Sequence, residues 1–468
     1  MRSLVASMFF LVILVQETRV AGRWQGSIDV PGNSLAVTVE LKAGDGGWSG
    51  AIDIPAQGLK AVALAEIEIK GEEVRFTIAG LPGTPTFEGK VAGDEIRGTL
   101  LQGGVKCSFR LGREGTPEAA SARPIPLVRA QDPKPPFPYG VEEVTYTNGE
   151  ITLAGTLTIP EGEGPFPAVL LITGSGAQNR DEEIMGHRPF LVIADYLTRQ
   201  GIAVLRVDDR GVGGSTGNVV TATTADFATD VIAGVRFLRA RPDIATDAVG
   251  VLGHSEGGLV GPLAASQCDE IAFVIMLAGT GVRGDEVLYL QGELLRRASG
   301  GSEELIESQR RLQRELFKAV EEAADEATLR DKVRAIMREQ AASMSAAEKA
   351  TLGNLEAFIE TQVASLANPW MRFFITYDPR PALRKVEVPV LALNGEKDLQ
   401  VWYEQNLPEI EKALQEGGNE DVTIRSFPGL NHLFQKCETG NVSEYAQLGL
   451  TIELEVLDCI ADWIQQRF

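Results

Sequence analysis

The stretch Val249–Ala265, VGVLGHSEGGLVGPLAA, decides the fold. A short apolar run, Val249-Gly250-Val251-Leu252, leads into Gly253-His254-Ser255-Glu256-Gly257, and small apolar residues follow at a spacing a helix can use. The pattern reads strand, sharp turn, helix, with Ser255 at the turn. It is the G-x-S-x-G elbow, in which a strained strand-to-helix turn lifts a serine hydroxyl clear of the backbone. The flanking glycines suit a crowded turn because they carry no Cβ. Ser255 is therefore the candidate nucleophile, and the amide of Glu256, at the start of the following helix, is a candidate donor to a developing oxyanion.

Outward from the elbow, strands and helices alternate. Upstream lie the apolar strand Ala168–Ile172, a helix over Pro189–Gln200, the strand Ile202–Val207 and an amphipathic helix over Asp226–Arg241. Downstream is Ala272–Leu277. Continuous apolar strands separated by helices mean a mostly parallel sheet covered on both faces. The domain opens with two strands paired around Asn148-Gly149, a hairpin signal. From about residue 283 to residue 375 the chain is helical and charged, as expected of a helical cap inserted between two sheet strands. The sheet resumes at Pro389–Leu393. A helix (Leu407–Gln415), a strand (Val422–Arg425) and a last helix (Leu448–Gln466) close it. The expected organisation is residues 139–282 and 376–468 as two parts of one α/β core, with 283–375 between them.

Ahead of this core, residues 22–113 read as a small antiparallel sandwich or barrel, with short alternating runs such as Leu35–Leu41 and Val74–Ile78 separated by glycine-rich turns. This region carries no histidine and reads as a structural or docking module. Residues 114–138, rich in proline and alanine, read as a linker. Residues 1–21 read as a signal peptide. Arg2 supplies a positive start, Leu4–Val15 is too short an apolar run to span a bilayer comfortably, and cleavage falls near Ala21. An uncleaved anchor is the lesser reading, since Arg19 fits the small-residue rule poorly. The expected location is secreted or periplasmic, with no stable membrane insertion after cleavage.

The chain has 468 residues and a net charge of −21, which argues against nucleic acid or an anionic membrane as a partner. Oligomeric state is not legible. In an exported protein Cys437 and Cys459 are candidates to pair. No C-x-x-C or H-x-x-x-H cluster points to a metal, and none is expected, nor any cofactor.

A serine nucleophile needs a base, and the base needs an orienting carboxylate. The chain has three histidines, His187, His254 and His432. His254 adjoins Ser255 within the elbow and reads as a packed residue. His432 follows the last strand, in a loop reaching the carboxyl edge of the sheet, where sites of open α/β folds lie, and is the expected base. Asp398, directly after the Pro389–Leu393 strand, is the expected acid, ahead of Glu396 and the remoter Asp285. The loop Thr173–Gly176, after an early strand, should supply the second oxyanion donor from the amide of Ser175, with Gly176 next. Gly211–Ser215 lacks the spacing and the lysine of a nucleotide loop.

Five stretches together resemble the α/β-hydrolases, and more narrowly the bacterial secreted serine esterases and hydrolases related to the serine aminopeptidase and dienelactone hydrolase groups. They are Thr173–Asp181, Val207–Gly211, Gly253–Gly258, Gly395–Asp398 and Asn431-His432. The resemblance covers the chain from about Val141 onward. It implies Ser255 as nucleophile, Asp398 as acid, His432 as base, and oxyanion donors at Ser175 and Glu256. Thr173-Gly174 stands where many relatives have histidine-glycine. The expectation is an enzyme cleaving small carboxylic esters through an acyl-enzyme. An aminopeptidase or amidase of the same fold is the alternative, and a non-catalytic binding protein on a hydrolase scaffold a third.

Overall fold

The computed structural model describes residues 20–30, 33–44, 47–54, 59–78, 85–102, 105–122, 129–345, 349 and 355–468. The apolar N-terminal run read as a signal lies outside them. The chain divides into two compact units, Met1–Leu127 with Arg330–Ser365 and Val128–Leu329 with Leu366–Phe468.

In the first unit, eight strands from β1 (Gly22–Val30) to β8 (Val105–Arg113) pair antiparallel in chain order, and β1 also pairs with β8, closing a barrel. Closure, rather than two packed sheets, leaves no unpaired edge. Trp24, Val39, Ile52, Phe76, Phe87, Ile96 and Leu111 are fully buried. Phe76 stacks on Phe87 at 4.7 Å, and Phe87 meets Phe109 edge-on at 5.1 Å. An eight-stranded barrel is just wide enough to be filled by side chains, so this interior is a packed core. The helix Pro117–Ala122 follows it.

The second unit holds one eight-stranded sheet. Its strands are β9 (Tyr139–Asn148), β10 (Ile151–Pro160), β11 (Phe166–Ile172), β12 (Ala203–Val207), β13 (Ile244–His254), β14 (Val274–Leu277), β15 (Val390–Gly395) and β16 (Val422–Phe427). They lie in the order β9-β10-β12-β11-β13-β14-β15-β16. The β9–β10–β12 pairs are antiparallel, and all others are parallel. One crossed connection at the antiparallel end of a parallel sheet is the α/β-hydrolase arrangement. Two apolar layers cover it. Leu170, Val251, Val260 and Val274 are buried in one, and Leu171, Leu252, Phe273 and Ile460 in the other. The β9–β10 hairpin turns through Gly149, φ +59°, and Glu150, one residue beyond the predicted centre. Among the described residues, the chain between β14 and β15 is helical from Gly284–Ala298 through Pro369–Thr376 to Arg380–Leu383.

The end of the segment read as a linker is bound down: the Arg129 guanidinium donates to the carbonyls of Ala446 and Leu448, both at 2.7 Å, and Gln131 exchanges hydrogen bonds with Thr451 and Ile452. These donors satisfy loop carbonyls that have no ladder partner. The candidate pair Cys437 and Cys459 is not bonded, and all four thiols are free. Cys437 instead faces the Gly429 carbonyl, and Cys459 lies on the last helix, Leu454–Gln465.

Candidate active site

The elbow forms as its sequence requires. Ser255 has φ +55°, a left-handed conformation that strains any residue with a Cβ by about 1–2 kcal/mol. Its amide donates to Leu277 O at 2.8 Å, and its carbonyl accepts from Gly258 N at 2.9 Å, so the neighbouring strand and the helix Gly257–Ala265 hold the turn. Two glycines are obligatory. A Cβ at Gly253 would lie 1.9 Å from Gly257 O, and one at Gly257 would lie 2.1 Å from Ile172 O.

His432, just past β16, donates from Nδ1 to the Asp398 carboxylate at Oδ2, 2.7 Å away. Asp398 is fully buried, and its Oδ1 accepts from the amides of Gln400 and Val401 at 2.7 and 2.9 Å. These amides fix the carboxylate's orientation and leave one oxygen for the imidazole. The alternative acids are engaged elsewhere. Glu396 accepts from Ser426 Oγ at 2.8 Å, and Asp285 is gripped by Arg283. His187 is buried between Thr451 Oγ1 and the Tyr445 carbonyl, outside the site.

Ser255, His432, Ser175 and Glu256 line one cavity enclosing about 1000 Å³, mouth included. Gly176, φ +105°, is not among its lining residues. The inserted helices contribute Val287, Leu288, Trp370, Met371 and Phe374 to an apolar wall, and no lysine or arginine lines the cavity among the described residues. The Thr173–Gly176 loop runs beside the elbow: a Cβ on Gly174 would stand 3.4 Å from Ser255 Cβ. The Gly174 amide donates to Glu182 Oε1 at 2.7 Å.

Three acids, Glu182 and Glu256 buried and Asp209 half-buried, surround this loop, and none was singled out as an acid in the sequence. Glu182 accepts from Gly174. Asp209 Oδ1 accepts from Thr173 Oγ1 at 2.6 Å, and its Oδ2 from Gln178 N at 2.9 Å. The Glu256 carboxyl takes Thr224 Oγ1 and Trp370 Nε1, each at 2.7 Å, on Oε1. Burial pushes Glu256 above the usual carboxylate range, against the pull of its donors Thr224, Trp370 and Ser175. Burial, helped by the charges of Glu256 and Glu182, outweighs the donors at Asp209 and pushes it up to about 8. The Gly211–Ser215 stretch closes on neighbouring Asp208, whose Oδ2 accepts from Gly214 N at 2.9 Å.

Asp209 makes a prediction about stability. An unfolded aspartate ionises near pH 4. Between there and about pH 8 the folded chain holds a proton that the unfolded chain has lost. Stability therefore falls as pH rises through that window, by at most about 5 kcal/mol from this group. Thermal melts from pH 5 to pH 8 should show a steeper decline for the native protein than for Asp209→Asn. Parallel curves would mean that Asp209 is ionised throughout.

With this geometry in hand, the chain can be compared with known proteins. The family described as X-Pro dipeptidyl-peptidase (S15 family) matches residues 148–420. The chain belongs to the X-Pro dipeptidyl-peptidase (S15) family. Esterase EstD of Thermotoga maritima is 27% identical over 417 residues, covering 87% of this chain and 82% of that protein. Among solved structures, an esterase of Pyrococcus furiosus is 15% identical with a TM-score of 0.42, covering 70% of this chain and 91% of that one. Dienelactone hydrolase from Anabaena variabilis is 16% identical with a TM-score of 0.38, over 70% and 98% of the two chains. This S15-family member is thus an enzyme of the α/β-hydrolase superfamily.

Proposed function

We propose that the protein is a carboxylic ester hydrolase working through Ser255, His432 and Asp398. One observation carries this reading: Ser255 on its elbow and His432 backed by the buried Asp398 open into the same cavity. Ser255 Oγ attacks the ester carbonyl while His432 takes its proton. The amides of Ser175 and Glu256 receive the oxyanion. His432 returns the proton to the departing alcohol, leaving an acyl-enzyme. Water, deprotonated by His432, then releases the acid and restores the serine.

The family's name favours a second reading, a peptidase that holds a substrate amine. The neighbouring acids speak against it. An ammonium needs an ionised carboxylate that no other cation holds, whereas Glu256 is pushed towards its neutral form and Glu182 is engaged by His254. The wall of Val287, Leu288, Trp370, Met371 and Phe374 suits an apolar acyl group. The esterase named among the relatives supports the same choice.

The test is a panel of 4-nitrophenyl acetate, butyrate and octanoate alongside glycyl-prolyl 4-nitroanilide. Ester turnover at least 100-fold above that of the nitroanilide is expected. Comparable rates would install the peptidase reading. Silence on both, with no fluorophosphonate labelling of Ser255, would remove catalysis altogether.

A further inference from the structure

His254 precedes the nucleophile, yet its ring does not fill an apolar gap. Nδ1 lies 2.9 Å from Glu182 Oε1, and Nε2 lies 3.0 Å from the carbonyl oxygen of His432. Glu182 and His254 are almost wholly buried, at 3% and 7% exposure. A carbonyl oxygen only accepts, so Nε2 must carry a hydrogen. The partner of Nδ1 also accepts the Gly174 amide at 2.7 Å, and Glu182 Oε2 is buried with no donor among the described residues. The arrangement is that of a carboxylate receiving two donors on one oxygen. Three segments meet at this pair: the oxyanion loop through Gly174, the elbow through His254 itself, and the base loop through the His432 carbonyl. The two imidazole rings stand 4.7 Å apart, tilted by 49°.

We propose that Glu182 and His254 form a buried ion pair that positions the catalytic groups, tying the oxyanion loop, the elbow and the His432 loop together. The proposal rests on His432 being the general base. Burial alone would discharge His254, but the Glu182 carboxylate and the His432 carbonyl outweigh it and raise the imidazole's affinity for a proton. The groups facing His432 are Asp398 on Nδ1, the His254 ring, and Tyr445, which lies within reach of its backbone. Glu182 stands behind His254, on the ring nitrogen that does not face His432. The pair removes two sources of slack, since the Gly174 amide and the His432 carbonyl would otherwise have no fixed partner.

The chain's three histidines make a direct test possible. With nitrogen-15 histidine incorporated into the full chain, the ring nitrogens report each protonation state. As the pH is lowered, His254 is expected to take up its proton above the ordinary histidine range, near pH 6.5, and His187 below it. A His254 ring still neutral at pH 6.5 would overturn the proposal without touching the esterase reading, which the ester panel tests separately. The second measurement is kcat and KM on 4-nitrophenyl butyrate for Glu182→Gln and His254→Gln. Each variant breaks the ion pair, and Glu182→Gln keeps a carbonyl for the Gly174 amide. A loosened constellation should cost about tenfold in kcat with KM changed less than about threefold. Native kcat in both variants would overturn the positioning role. If a variant does not fold, the histidine spectrum of the native chain still decides.

Discussion

Replacing Ser255 by alanine should lower kcat/KM on 4-nitrophenyl butyrate by about 10⁵- to 10⁶-fold. What remains, roughly 10³-fold above water, is the contribution of oxyanion donors and binding, which do not involve the hydroxyl. The expected thermal stability is unchanged. The turn is held by the Ser255 amide and carbonyl, bonded to Leu277 and Gly258, and alanine retains both. Alanine also bears the same φ of +55° at about the same strain as serine. Activity and folding therefore separate cleanly at this position. At Gly253 or Gly257 they do not, because an added Cβ strikes backbone oxygen about 2 Å away. A Ser255→Ala protein keeping more than a hundredth of the native rate would remove Ser255 as the nucleophile.

The elbow was legible because its constraints are local. A strained strand-to-helix turn needs small neighbours, and Gly253-His254-Ser255-Glu256-Gly257 displays them in five consecutive residues. The parallel sheet was legible for a related reason. A strand buried on both faces is apolar without interruption, as in Ala168–Ile172 and Val249–Leu252, and both proved to be central strands. Asp398 and His432 were singled out by their places after strands, and the structure brings the two side chains to 2.7 Å of each other. The partners that involve charge were hidden. Glu182 sits in Asp181-Glu182-Glu183, a run with the look of a solvated surface, and nothing local says that the middle acid turns inward to Gly174 and His254. Trp370 meets Glu256 across 114 positions of chain, a pairing no periodicity reports. The first domain's class was visible in its alternation. Its closure was not, because the β1–β8 pairing depends on how eight twisted strands add up. The anchoring of the linker's end was hidden as well, because Arg129 reaches carbonyls more than 300 residues away.

Asp398→Asn should cost about 10⁴-fold in kcat, with KM little changed. The argument is one of tautomers. In the native site Asp398 Oδ1 is held by the amides of Gln400 and Val401, so Oδ2 must face His432 Nδ1 and draw a hydrogen onto it. That leaves Nε2 with its lone pair for the serine proton. Asparagine fits the same space, and its one carbonyl oxygen is claimed by the two amides. Its NH₂ group then faces Nδ1 as a donor, so Nδ1 must accept and the hydrogen moves to Nε2. The base presents a hydrogen where a lone pair is needed, although nothing has moved. A 10⁴-fold loss corresponds to about 5.5 kcal/mol of transition-state stabilisation. Binding should survive, because Asp398 does not line the cavity. Glu396→Gln is the matched control. Its carboxylate accepts from Ser426 Oγ, a bond the amide oxygen can keep, and its rate should stay within about threefold of native. If the two variants lost activity equally, or if Asp398→Asn raised KM and spared kcat, Asp398 would not be the orienting acid. The order serine, aspartate, histidine would then be a coincidence of spacing.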